Sequence, residues 1–104
     1  MFRGKKLGLL LFASPALPNF RHGLRLAEAA LAAGVDVYLY CLDDAVAGLE
    51  SPMLQALKTR GLKLFACAYG AQRRGIPIGE AAVFSGLTIV SDLIAGTERF
   101  VSFN

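Results

Sequence analysis

The sequence carries two cysteines, Cys41 and Cys67, and thiol chemistry is the first chemistry to weigh. Cys67 stands in the run Phe65-Ala66-Cys67-Ala68-Tyr69-Gly70-Ala71-Gln72-Arg73-Arg74-Gly75, where an apolar strand gives way to small helix formers. At such a junction the unpaired N–H groups of a first helical turn point near the sulfur and favour the thiolate. Arg73 and Arg74, folding back, would add positive charge to the same effect. The competing reading is plain packing, because free cysteine is among the most buried residue types. Cys41, between Tyr40 and Leu42, reads as core on that ground. Two cysteines make no disulfide framework, and in a reducing compartment a structural disulfide is the least expected state.

Other polar groups are weaker candidates. Ser14 falls at the same expected sheet edge as Cys67, and Tyr69 could either wall a cysteine pocket or simply pack. Asp43-Asp44 reads as a turn that ends a strand, although two acids at a site edge are the alternative. His22 has no cysteine or second histidine at ligand spacing, so no metal is expected. Glu80 and Asp92 read as solvated. No G-x-G-x-x-G follows the first strand and the Walker spacing is absent, so no nucleotide loop or cofactor is expected.

Composition narrows the class. The 104 residues fit one domain spanning 1–104. A hydrophobic share of 55% against 18% charged is high for a soluble monomer, which implies that a partner or a second copy, the latter preferred, covers part of the surplus. The formal charge of +3 is modest, its basic residues are scattered, and no aromatic-interleaved basic stripe is present; direct nucleic-acid binding is not expected. No stretch is long enough to cross a bilayer. Met1 to Lys6 followed by Leu7 to Ala13 superficially resembles a secretory signal, but the apolar run is short and its loss would delete a strand. A cytoplasmic location is the expectation.

The elements that must position Cys67 can be read in order. Lys6 to Phe12 is a nearly continuous apolar run, as in a parallel strand buried on both faces. Pro15 and Pro18 break it, and Asn19 is the expected helix cap. Phe20, Leu24, Ala27 and Leu31 then fall on one helical face, which Gly34 closes. Val35 to Leu42 reads as a second strand, and strand, helix and strand together imply a parallel right-handed crossover. Ser51 as cap and Pro52 at the first helical position announce a second helix, with Met53, Leu54 and Leu57 inward and a stop at Arg60-Gly61. Leu62 to Ala66 is the third strand, with Cys67 at its carboxyl end. Ala68 to Arg74 gives two helical turns before Gly75 and Pro77. The last third reads as a strand at Ala82–Ser85, a helix at Leu87–Gly96 and a strand at Arg99–Phe103. The fold class is α/β: a three-layer α/β/α arrangement around a mainly parallel five-stranded sheet.

The Phe65–Gly75 segment, and the ending from Gly86-Leu87 to Arg99-Phe100-Val101-Ser102-Phe103, resemble the DsrE/TusD-like sulfur-relay family. In that family a cysteine ends the third strand, a small-residue helix closes on Arg-Gly, and the chain finishes in a hydrophobic strand ending in Phe. The resemblance covers most of the sequence; the Asp43–Gly61 connection looks shorter than in TusD-type members. It implies that Cys67 accepts sulfur as a persulfide from a protein donor and passes it to a protein acceptor, without a cofactor. Arg73, Arg74, Tyr69 and Ser14 would support it. It also implies a trimer or hexamer. The contrasting expectation is a non-catalytic oligomeric domain in which Cys67 is buried, or binds a small molecule without covalent chemistry.

Overall fold

Strands and helices alternate along this chain because short, nearly continuous apolar runs give way to stretches whose apolar residues recur with a period of about 3.6. In a computed structural model, which describes residues 4–104, this yields strands β1 (Lys6–Leu11), β2 (Asp36–Cys41), β3 (Lys63–Cys67), β4 (Val83–Ser85) and β5 (Arg99–Phe103). Between them lie helices α1 (Pro18–Ala32), α2 (Pro52–Thr59), α3 (Ala68–Arg73) and α4 (Thr88–Gly96). The five strands form one all-parallel sheet in the order β4-β3-β2-β1-β5.

That order decides the layers. From β1 to β4 the chain steps outward in one direction, and right-handed crossovers keep α1, α2 and α3 on one face. Returning from β4 to pair β5 with β1 reverses the direction, so α4 lands on the opposite face. Side-chain burial follows. Leu9, Leu11, Val37, Leu39, Cys41, Leu64 and Ala66 pack with Phe20, Leu24, Ala27, Leu54, Leu57 and Ala71 from the first three helices. Tyr40, Leu42 and Cys67 point the other way and pack with Leu93 of α4.

Several local expectations change. Asn19 does not cap α1; the cap is Leu17 and the helix starts at Pro18, two residues earlier than expected. Proline's fixed φ suits the first helical position, and the Asn19 side chain is used elsewhere. Its Nδ2 donates to the Asn104 carbonyl and its Oδ1 meets His22 Nδ1, both at 3.1 Å. Ser51 precedes Pro52 as expected, yet its hydroxyl makes no capping bond. Gly34 and Gly61 end α1 and α2 at φ of +86° and +113°, a region that L side chains rarely adopt.

Asp43 and Asp44 do more than end β2. They open a 3-10 helix over Asp43–Gly48, with Asp43 at φ +49°. Six residues are too few to display a period, so this element leaves little mark in the sequence. It is tightly packed: a Cβ on Gly48 would stand 2.5 Å from Phe20 Cζ and 2.7 Å from Pro15 Cγ. Gly48→Ala is therefore expected to lower stability by about 1–3 kcal/mol through overpacking, read from urea unfolding. An unchanged midpoint would mean that Phe20 and Pro15 move aside freely.

Candidate functional site

Cys67 occupies the residue where β3 ends and α3 begins. Its φ and ψ of −71° and 115° are still extended, so it is the cap residue of α3, and its Sγ accepts the Gly70 N–H at 3.3 Å. One orphan donor of the helical turn is thus satisfied by sulfur, in the role usually taken by a side-chain oxygen. The thiol is free but not open: Cys67 is 6% exposed, among Tyr40, Leu42 and Leu93. The carrier expectation needs a reachable sulfur, and in this chain the sulfur is covered. The reason is topological, since the residue faces the side of the sheet that α4 covers.

The expected supporting residues divide. Arg74 comes nearest: its Nη1 donates to the Gly70 carbonyl at 3.3 Å, and Nη2 bonds Asp44 Oδ1 at 3.1 Å. Its charge therefore rests on the peptide unit next to the one that holds the sulfur, and is partly spent on Asp44. Arg73 instead lies over the Tyr69 ring, 5.8 Å from its centroid, and Tyr69 is 67% exposed. That pair sits on the solvent side of α3 and does not wall the thiol. Ser14 belongs to the loop after β1, two strands from β3, where its Oγ accepts the Ala16 N–H at 3.2 Å. It shares the sheet edge with Cys67 but shapes its own turn.

Two residues beside the sulfur were not singled out from sequence. Tyr40, fully buried on β2, donates its hydroxyl to the carbonyls of Ser85 and Gly86, each at 3.1 Å. Ser85 is the register partner of Cys67 across β3 and β4. The available signal was that a phenol inside a strand must find a partner for its O–H. The Tyr40 phenol is held above its ordinary ionisation range by burial; Ser85 opposes the rise and Cys67 adds to it, so all three side chains are neighbours.

The sequence matches the model of the DsrE/DsrF-like family over residues 5–103. The chain belongs to that family. The crystal structure of the YchN protein from E. coli superposes with a TM-score of 0.81 over 95% of this chain and 99% of that one, at 18% identity, which establishes a shared fold. No curated protein sequence matches. For this DsrE/DsrF-like chain, the match includes the whole β3–Cys67–α3 segment. Among the described residues, no helix is long and apolar enough to cross a membrane.

The second thiol behaves as core. Cys41 faces α1 and α2 at 0% exposure, and burial pushes it up to about 12 from its ordinary 9.0. A raised folded value means that the native state keeps its proton longer than the unfolded chain does. The associated stability is intact below the unfolded value of 9.0 and is lost as pH climbs from there toward 12. Urea-unfolding free energies should therefore decline above about pH 9, with Cys41 contributing a slope of up to ~1.4 kcal/mol per pH unit. Cys41→Val should flatten that decline by about one proton. Parallel pH curves for the two proteins would show that Cys41 is not protected by the fold.

Proposed function

We propose that this chain is a cytoplasmic sulfur carrier that accepts sulfur as a persulfide on Cys67 and hands it to a partner protein. The observation that carries the reading is a free thiol at the end of β3 whose sulfur receives the Gly70 N–H, in a chain of the DsrE/DsrF-like family. The Cys67 thiolate attacks the outer sulfur of a donor persulfide. A new S–S bond forms, the donor's own S–S bond breaks, and the donor leaves as a thiolate. The transferred sulfur keeps its hydrogen, and there is no net oxidation. An acceptor thiolate repeats the attack on that sulfur, and Cys67 leaves as thiolate. Neither step calls for a cofactor.

Transfer requires the sulfur to be uncovered. Its cover is the thinly packed side of the protein, because Leu93 is the one buried residue of α4. A layer with few buried contacts opens at lower cost than the α1–α2 side. Ile78, Val83, Leu87 and Ile94 are each more than half exposed, which supports assembly with further copies as a trimer or hexamer. The burial of Cys67 favours the second reading, a non-catalytic oligomeric domain whose thiol is a small apolar filler.

Loading with a small-molecule persulfide and measuring the intact mass separates the two. The carrier reading expects an adduct of ~32 Da, the mass of one sulfur, on wild type and on Cys41→Ser but not on Cys67→Ser. Equal loading of wild type and Cys67→Ser would falsify it. Native mass spectrometry of the same samples should show three or six chains.

A further inference from the structure

Ser85 has a feature that neither packing nor the capping of Cys67 explains. Its Oγ is buried and has no hydrogen-bond partner among the described residues. Native proteins leave few such groups, since a buried hydroxyl without a partner forfeits its bonds to water. The Ser85 side chain lies close enough to the Tyr40 phenol to favour its ionised form, yet the Tyr40 O–H goes to the Ser85 and Gly86 carbonyls and leaves the hydroxyl without a well-formed bond. The backbone carrying the hydroxyl is thus anchored, while the hydroxyl itself is left unused.

We propose that the Ser85 hydroxyl is the hydrogen-bond donor for the outer sulfur of a persulfide on Cys67, with Tyr40 as the residue that positions it. This rests on the carrier reading above and names further residues of that site. Cys67 and Ser85 face each other across the parallel β3–β4 pair, and a parallel register places both side chains on the α4 face. The resting sulfur already holds the Gly70 N–H. Loading adds a second sulfur ~2 Å further out, and that atom carries the negative charge once the persulfide ionises. It arrives with no backbone donor of its own. An O–H directed at an ionised acceptor makes a stronger bond than one between neutral groups. The hydroxyl that has no partner in the empty protein gains one in the loaded protein. Tyr40 does not touch the transferred sulfur in this account; it holds the turn after β4 so that the hydroxyl stays in place.

The experiment compares wild type, Ser85→Ala, Ser85→Thr and Tyr40→Phe, each loaded with glutathione persulfide and then alkylated with iodoacetamide across a range of pH. Ser85→Ala removes a buried hydroxyl that has no bond to lose, so its unfolding midpoint should equal or exceed that of wild type. Its loaded form should need about one pH unit more to reach half-maximal alkylation. At a pH below both half-points, its rate relative to the unloaded thiol should fall about tenfold. Ser85→Thr, which keeps the hydroxyl, should restore the wild-type profile, and Tyr40→Phe should shift it by about threefold or more. A merely structural serine would leave that ratio unmoved. Coincident loaded profiles for wild type and Ser85→Ala overturn the proposal while leaving the carrier reading intact. Absence of any adduct on wild-type Cys67 overturns both. Should Ser85→Ala fail to fold, Tyr40→Phe decides: a profile coincident with wild type overturns it.

Discussion

A phenol with no access to water must place its proton on something, and Tyr40 places it two strands away. Tyr40 belongs to β2 and its acceptors to the end of β4, with β3 between. Two strand spacings amount to about 9–10 Å, so the ring has to lean across β3 to reach them. That reach crosses β3 between Phe65, the register partner of Tyr40, and Cys67, the register partner of Ser85, and both pack with Tyr40 in one apolar group. One hydrogen-bonded side chain thus ties the edge strand to the interior of the sheet and packs beside the thiol. The turn into α4 starts from the carbonyls that Tyr40 holds, so the cover over the sulfur inherits its position from this bond.

The two faces of the sheet are unequal for a reason rooted in connectivity. Three crossovers run the same way and deposit three helices on one face, where the large majority of fully buried side chains collect. The single returning crossover supplies α4 alone to the other face. A helix of nine residues cannot shield five strands, and Val83 at the edge is 59% exposed. Tyr38 shows the same shortfall: its ring is half-buried, with Lys63 Nζ 5.4 Å from its centroid. An apolar face left this open favours assembly, and a lightly held helix favours local opening. Both properties belong to the face that holds Cys67.

Much of this was legible in the sequence. The layering was legible because uninterrupted apolar runs such as Leu9-Leu10-Leu11 have no solvent face, and that demands helices on both sides. Pro52, Gly34 and Gly61 marked helix ends through backbone geometry alone. The position of Cys67 at a strand end was legible for the same reason. Its burial was not, because the sequence does not say which face of a strand the last helix will cover. Arg73 and Arg74 are indistinguishable as letters; one residue of rotation, 100° around α3, sends the first to Tyr69 and the second to Gly70 and Asp44. Ser85 and Tyr40 became visible only through the β3–β4 register. That register depends on where a three-residue strand begins, the kind of boundary a propensity pattern locates poorly.

The contrast between the two cysteines shows what burial does and does not decide. Both are buried free thiols near the carboxyl ends of neighbouring strands. Cys41 lies among aliphatic side chains under α1 and α2, where nothing polar meets it and the helices above are firmly packed. Cys67 has a backbone N–H on its sulfur, a phenol and an unpartnered hydroxyl beside it, and a cover in which Leu93 is buried and Ile89 and Val90 are partly buried. For sulfur transfer an exposed resting thiol is not an advantage, since a persulfide open to solvent is also open to every passing thiol. Under the proposed carrier role, a thiol that holds the Gly70 N–H and lies beneath α4 would be shielded until that cover moved. On the proposed reading, cover and release would then rest on the same lightly packed helix.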